Sequence, residues 1–342
     1  MKTALVGVTG YGGMVLYQLL QQHPAVTEIN LYGHSQTTDQ PLSEAVPMFG
    51  ISATAMIHPY DVATIMAAND VVFFATSAGV TSQVAAPFIA AGFPVIDLSG
   101  DYRLKQPATY EKWYHKPAAP QAALDAAYYG LAEFGQVGSA KYVANPGCYA
   151  TATLLGLAPL AQNDLIQPDS IVVDAKSGTS GAGKKLATST HFSQTNENLQ
   201  LYKVDQHQHI PEIMQQLQAW NPEIPAIEFT TTLIPVTRGI MSTIYAKVKP
   251  GTTAEQLVAA FETTYQHADF VRFGATLPML KQVQGTNFCD LGLQYNPVTH
   301  NVTVVSVIDN LIKGAGGQAI QNLNQMFGLD AAAGLPTHVI MP

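Results

Sequence analysis

The chain has 342 residues, 47% of them hydrophobic and 12% charged, so it can bury a large core and is long enough for two domains. A net charge of −8 with no basic tract argues against nucleic acid as a partner, and no apolar run is long enough to cross a bilayer. The two cysteines, with an N-terminus that runs straight into a strand rather than a signal peptide, argue against a disulfide framework and for a reducing, cytoplasmic setting.

An acidic chain that handles anionic ligands must do so with a few placed cations, so individual Arg and Lys residues carry information. The first element, Thr3 to Gly7, is an apolar strand that runs into Gly7-x-x-Gly10-x-x-Gly13 and then an apolar helix, Met14 to Gln22. Gly7, Thr9, Gly10, Tyr11, Gly12 and Gly13 have the strand before and the helix after that a pyrophosphate-binding loop requires, against the plainer reading of a strand-turn-helix packing motif. The next strand, Ile29 to Tyr32, ends in Gly33-His34-Ser35-Gln36-Thr37, with no carboxylate for a ribose 2′-hydroxyl. Small groups such as Ser35 leave room for a 2′-phosphate, which favours NADP(H) over NAD, although the usual arginine is also missing.

Alternation continues through a strand at Val71 to Ala75, a helix at Val80 to Ala91 and a strand at Pro94 to Leu98, the pattern of a Rossmann-like, doubly wound parallel sheet. Thr76, in the turn after an apolar strand, falls at the carboxyl edge of that sheet, where cofactors bind; its plainer reading is an ordinary turn. From Asp101 to Gly130 regularity fades into a Pro, Tyr and Ala-rich excursion that is irregular or partly helical, and no internal repeat is present.

Lys141 to Ala144 reads as a short strand, Asn145-Pro146-Gly147 as a turn, and Ala150 to Leu160 as a helix. Cys148 therefore sits where unpaired N–H groups and the positive end of a helix dipole favour a thiolate, the attacking form of the thiol. A buried structural cysteine is the competing reading. Ser170 to Ala175 is a strand leading into Lys176 to Lys185, a loop of small hydroxyls, glycines and lysines. Exposed N–H groups there suit a phosphate or oxyanion, against the alternative of a flexible turn.

His207-Gln208-His209-Ile210-Pro211-Glu212-Ile213 is the other dense cluster, before a helix that starts near Pro211. No further ligand stands at metal-site spacing, so the sequence argues against zinc. A histidine held by Glu212 suits proton transfer near neutral pH, and a polar turn is the plainer reading. Glu228 to Ile234, Ile240 to Val248, Asp290 to Tyr295 and Asn301 to Asp309 read as long strands of a mixed or antiparallel sheet in a second domain. A last helix, Gly316 to Met326, follows a glycine-rich hinge and returns to the first.

Seven segments, in order, resemble the motifs of the N-acetyl-gamma-glutamyl-phosphate reductase family: Gly7-x-Thr9-Gly10-x-x-Gly13, Ile96 to Leu104, Asn145 to Thr151, Ser177 to Gly183, His207 to Ile213, Pro235 to Gly239 and Lys313 to Ala319. Pro-Gly-Cys-Tyr and His-x-His-x-Pro-Glu-Ile are the specific ones, because the related aspartate-semialdehyde dehydrogenases share the glycine loop and a catalytic cysteine in a different local sequence. The resemblance implies NADPH-dependent reduction of N-acetyl-L-glutamyl 5-phosphate to the 5-semialdehyde with release of phosphate, a step of arginine biosynthesis. It implies Cys148 as nucleophile, His209 as acid/base oriented by Glu212, and His207 as the alternative. Arg103 and Arg238 are expected at the substrate carboxylate and phosphate. Ser177 and His207 are expected at the substrate, and Ser180, Gly181, Gly183, Asn310 and Gln318 at the cofactor.

The resemblance also implies a discontinuous NADP-binding domain, residues 1–148 and 312–342, around a substrate and oligomerisation domain at 149–311; the large second-domain sheet suits a homodimer or homotetramer, and no metal is expected. The family commonly carries Arg or Lys between the two histidines, where this chain has Gln208, so Lys184, Lys185 or Lys203 must supply any cation needed there. Two other readings remain: a dehydrogenase for another phosphorylated or CoA-linked acyl substrate, such as aspartate-semialdehyde dehydrogenase, and a non-catalytic NADP-sensing protein.

Overall fold

The structure is a computed structural model that describes residues 1–51 and 53–339; residues 340–342 of the expected returning segment lie outside that range. The chain forms two compact units, Met1–Pro146 with Ala315–Leu335, and Gly147–Gly314 with the tail from Pro336.

The first unit holds β1 (Lys2–Val6), β2 (Glu28–Gly33), β3 (Gln40–Pro41), β4 (Met56–Pro59), β5 (Val71–Phe74), β6 (Val95–Asp97), β7 (Ala127–Tyr129) and β8 (Tyr142–Ala144). They make an eight-stranded sheet in the order β3-β4-β2-β1-β5-β6-β8-β7. Every pairing is parallel except the short β3 edge against β4. The strand Val71-Val72-Phe73-Phe74 is wholly buried, as a central strand covered on both faces must be. The expected helix from Val80 to Ala91 is two, Thr81–Val84 and Ala86–Ala91. Pro87 has no N–H for the ladder and clashes with the preceding turn, which forces the break. The excursion after Asp101 contains two short helices, Pro107–Tyr114 and Gln121–Ala126. Lys105 reaches the end of the second, its ammonium donating to the carbonyls of Leu124 and Ala127, where the helix dipole favours a cation.

The second unit holds β9 (Val172–Ser177), β10 (Gln200–Tyr202), β11 (Glu228–Leu233), β12 (Ile240–Lys247), β13 (Val271–Gly274), β14 (Cys289–Asn296) and β15 (Asn301–Ile308), in the order β10-β11-β9-β12-β15-β14-β13. The sheet is mixed: β9 runs parallel to β11 and antiparallel to β12. The helix Cys148–Gln162 packs on β12 and β15, and every residue from Tyr149 to Ala161 is buried. At Gly156 an added Cβ would lie 2.7 Å from Ile244 Cδ1, so glycine lets the helix approach the sheet closely. Pro159 lies inside this helix and cannot bond the Leu155 carbonyl; the buried Tyr265 hydroxyl donates to that oxygen instead. On the other sheet face Glu228, Val172 and Tyr245 are paired across β11, β9 and β12 and exposed. Sequence periodicity had not marked the helix Ala254–Tyr265, whose Thr253 and Gln256 form a capping box. Among the described residues no helix is long and apolar enough to cross a membrane.

Candidate active site

In the first unit the glycine loop has a shape that only glycines allow. Gly7 has φ +99°, and a Cβ there would lie 2.6 Å from the Ala75 carbonyl oxygen; at Gly13 one would lie 2.2 Å from Gly7 O. Gly12, by contrast, faces open space, and an added Cβ at Gly10 would meet only Gly7 O, at 3.9 Å. The helix Tyr11–Gln22 starts there with Gly10 as an N-cap that has no side-chain oxygen to satisfy its first N–H groups. Open space over uncapped N–H groups is what a pyrophosphate needs, so these residues fit a dinucleotide. Thr9 and Ser35 are exposed, and Tyr11 is half-buried.

The Thr76 turn abuts Gly7 through Ala75, and Thr76 Oγ1 lies 2.6 Å from Thr81 Oγ1. A fully buried carboxylate, Asp101, accepts from Gly79 N at 2.7 Å, Ser82 N at 2.9 Å and the Tyr110 hydroxyl at 2.6 Å, fixing this turn. Asp97, also fully buried, accepts from Ser99 and from the Tyr142 hydroxyl. Burial, and then the charge of Asp101, pushes its carboxyl up to about 7. Arg103 is only 6% exposed and donates through Nε to Asn145 O and through Nη2 to Leu98 O, both at 2.8 Å. The sequence placed this guanidinium on a substrate anion. The structure engages it with the backbone of the turn that leads to Cys148.

In the second unit Cys148 is the first residue of its helix and Gly147 the N-cap. Gly147 N donates to Glu212 Oε1 at 2.8 Å. Glu212, fully buried on the helix Ile210–Trp220, therefore holds the turn of the thiol as well as standing close in sequence to His209. Cys148 is partly exposed and Cys289 is buried. Against the other side of Cys148 lies Gly314, where a Cβ would come within 2.7 Å of Cys148 Cβ.

His207 and His209 are both buried, with ring centroids 4.6 Å apart. His209 N donates to His207 Nδ1 at 3.1 Å, and the His207 ring meets Tyr149 edge-on at 5.0 Å. Desolvation first, then the charges of His209 and Lys203, holds His207 well below the ordinary histidine range, so it stays neutral. The Tyr149 and Tyr202 hydroxyls are 2.8 Å apart. Burial raises both, Tyr202 to about 12, and the nearby Cys148 charge adds to each shift. Lys203 Nζ reaches Gln208 Oε1 at 2.8 Å from a turn in which Lys203 and Asp205 have φ of +45° and +52°. Among the described residues no carboxylate is within ion-pair distance of Lys203. Lys184 and Lys185 are exposed.

The loop Ser177 to Gly183 differs from expectation. Five of its N–H groups are already engaged: Gly178, Thr179 and Ser180 donate to the carbonyls of Gly239, Val236 and Thr237, and Gly181 and Gly183 donate within the loop. Ser177 Oγ donates to Gly178 O. Asn310 is engaged at both ends of its amide, Oδ1 accepting from Gly239 N at 2.7 Å and Nδ2 donating to Ser180 Oγ at 3.0 Å. Gln318, in the first unit, is fully buried, and its Oε1 accepts from Ala132 N. Asn310 and Gln318 thus have internal roles where cofactor contacts were expected. What the loop does is lock the Pro235 to Gly239 turn. From that turn Arg238 extends, Nη2 paired with Asp309 Oδ1 at 3.0 Å and Nε buried without a hydrogen-bond partner.

Cys148, His207, His209, Glu212, Ser177, Ser180, Gly181, Gly183, Arg238 and Asn310 thus fall in the second unit, and the glycine loop, Ser35, Thr76, Arg103 and Gln318 in the first. Sequence reasoning missed Asp101, Asp309, Tyr149 and Tyr202. The available signals were an Asp at a strand end before Asn310, and a Tyr directly after the cysteine. Among the described residues no group of three or more His, Cys, Asp or Glu side chains is arranged to hold a metal ion.

The family profile described as "Semialdehyde dehydrogenase, NAD binding domain" matches residues 2–140, and that described as "Semialdehyde dehydrogenase, dimerisation domain" matches residues 148–310. The chain is 58% identical to the N-acetyl-gamma-glutamyl-phosphate reductase of Limosilactobacillus fermentum and 59% identical to N-acetyl-gamma-glutamyl-phosphate reductase 2 of Lactiplantibacillus plantarum, over 100% of each chain. It is 54% identical to the Listeria innocua protein of the same name over 98% of both. Its fold is similar to that of aspartate semialdehyde dehydrogenase II from Vibrio cholerae (TM-score 0.68, 17% identity, 96% of this chain and 98% of that one). The Candida albicans aspartate semialdehyde dehydrogenase with NADP is likewise similar in fold (TM-score 0.67, 16% identity, 96% and 98%).

Proposed function

The chain belongs to the N-acetyl-gamma-glutamyl-phosphate reductase family of semialdehyde dehydrogenases, and on that premise we propose that it reduces N-acetyl-L-glutamyl 5-phosphate to N-acetyl-L-glutamate 5-semialdehyde with NADPH, releasing phosphate. The single observation that supports it best is Cys148 at the first position of a buried helix, its turn tied by Gly147 N to Glu212 beside His209.

Cys148 attacks the acyl carbon as thiolate, forming a carbon–sulfur bond as the carbon–oxygen bond to phosphate breaks, and a thioester remains. The helix N-terminus stabilises the thiolate. Bound NADPH supplies the hydride that reduces the thioester carbon. His209 gives a proton to the oxygen of the thiohemiacetal that results and takes it back from that oxygen as the carbon–sulfur bond breaks, leaving the aldehyde and the Cys148 thiolate. His207, neutral and bonded through Nδ1 to His209 N, acts as its support, and we assign the acid/base role to His209. Arg238 is the principal anion ligand. Arg103 holds the backbone of the turn before Cys148 through Asn145 O and Leu98 O. Gly7, Thr9, Gly10, Tyr11, Gly12, Gly13, Ser35 and Thr76 hold the dinucleotide, with NADP(H) favoured because the β2 end at residues 33–37 carries no carboxylate. The dimerisation-domain match supports a homo-oligomer. An open groove of about 450 Å³ on the sheet face, lined by Asp174, Lys176, Leu199, Leu201, Thr230 and Thr232, belongs to the surface we assign to it.

The test is phosphate-dependent reduction of NADP by N-acetylglutamate 5-semialdehyde, with aspartate semialdehyde as the competing substrate and Cys148→Ala as control. Activity confined to the acetylated substrate and lost in the variant is expected. Preference for aspartate semialdehyde, or activity surviving in the variant, overturns the reading.

A further inference from the structure

Arg238 is held by one carboxylate. Asp309 is fully buried, and Oδ1 takes Arg238 Nη2 at 3.0 Å together with Leu311 N at 2.9 Å and Ile312 N at 3.1 Å, while Oδ2 takes Gly285 N at 2.9 Å. A carboxylate withdrawn from water needs this set of a cation and several N–H donors. The same residue begins the segment that backs the thiol: Gly314 N donates to Asp309 O at 3.0 Å, and Gly314 leaves no space for a Cβ against Cys148. Two groups of the proposed site, the guanidinium and the thiol, thus take their positions from one buried residue.

We infer that Asp309 is a positioning residue that aims Arg238 at the phosphate of the acyl phosphate, while the turn it starts fixes the backing of Cys148. The inference rests on the proposed reaction. A guanidinium is a planar fork, so pinning Nη2 fixes the direction in which the other N–H groups point. Arg238 Nε, buried without a partner, is one of them. Phosphate rather than the remote carboxylate is the matching anion, because its oxygen is bonded to the carbon that Cys148 attacks and Asp309 anchors both Arg238 and the Gly314 turn that backs that thiol.

The experiment compares wild type, Asp309→Asn, Arg238→Met and the double variant in the reverse direction, varying inorganic phosphate. Asp309→Asn keeps an acceptor for Leu311 and Ile312 but removes the charge facing Arg238. Its KM for phosphate is expected to rise about tenfold with NADP affinity changed little, while the melting temperature falls because the Asn amide Nδ2 faces Gly285 N, a donor. In the Arg238→Met background it is expected to add nothing, because the two act as a unit. An unchanged phosphate KM in folded Asp309→Asn, or effects that multiply in the double variant, overturns the inference. Should Asp309→Asn not fold, Asp309→Ser retains a short acceptor for the same N–H groups and is judged by the same criteria; failure of both to fold assigns the carboxylate to stability and also overturns it. Absence of turnover by the wild-type enzyme would refute the proposed function instead. The concentration of phosphate that protects Cys148 from iodoacetamide then decides the inference, expected to rise in both single variants and unchanged if it is wrong.

Discussion

Gly147 N and Glu212 Oε1 are 2.8 Å apart, although the residues are 65 positions apart in sequence. The two most distinctive motifs of the chain, Pro-Gly-Cys-Tyr and His-x-His-x-Pro-Glu-Ile, are therefore one structural unit: the carboxylate of the second holds the turn of the first. Glu212→Ala leaves a buried N–H without its acceptor, a cost of about 1–3 kcal/mol. We expect a lowered melting temperature and a fall in kcat of about a hundredfold, whereas Glu212→Gln, which keeps an acceptor, loses far less stability. Equal melting temperatures for Ala and wild type would refute the tether.

The position of Cys148 at a helix N-terminus, and its partial exposure beside a buried Cys289, predict unequal chemistry. Iodoacetamide is expected to label Cys148 at least about tenfold faster than Cys289, by mass spectrometry of quenched time points, because labelling follows thiolate fraction and access. Equal, slow labelling argues against an activated nucleophile.

Lys203, bonded to Gln208 between the two histidines, is predicted to supply the cation that position 208 itself lacks. Lys203→Met is expected to raise the KM for the acetylated substrate about three- to tenfold, and Lys203→Arg to restore it. A KM unchanged in Lys203→Met means that this lysine is only a solvated surface group.

The buried Asp97 carboxyl makes stability depend on pH. Its folded value of about 7 lies above the ordinary 3.8, so the folded state keeps a proton that the unfolded chain has lost. Stability from this group is therefore present below pH 3.8 and lost as pH rises to about 7. Asp97→Asn, which preserves the shape, is expected to flatten that decline and to be more stable than wild type at pH 8 by an amount on the order of 2–4 kcal/mol. His207, held low, acts in the opposite sense: its contribution is complete above its ordinary 6.5 and falls as pH drops below it. Parallel pH–melting curves for wild type and Asp97→Asn would exclude Asp97 as the cause.

The exposed row Glu228, Val172 and Tyr245, with the exposed Leu201, paired to Thr232 of β11, and Leu199 just before it, predicts the interface between copies. Tyr245→Glu and Leu201→Glu are expected to shift sedimentation toward the monomer, since a buried unpaired charge is costly. An unaltered oligomer places the interface elsewhere.

Much of this molecule is decided by local sequence. The tight glycine loop, the Pro-Gly turn that starts the Cys148 helix, and the apolar strands of both sheets follow from φ preferences and side-chain period within a few neighbouring residues, which is why they were legible in order along the chain. Partners of polar groups were not, because they come from distant segments brought together by sheet register. The loop at Gly178 to Ser180 reads as open N–H donors until β9 and β12 pair and set it on the carbonyls at 236–239. Arg103 reads as an anion ligand until its Nε meets Asn145 O, 42 residues away, and Arg238 becomes a directed fork only through Asp309, 71 residues away. Sequence determined which chemical groups the site has and which helices and turns carry them; tertiary structure alone decided which of those groups are already satisfied within the protein, since that depends on desolvation and contact geometry that no local stretch of chain contains.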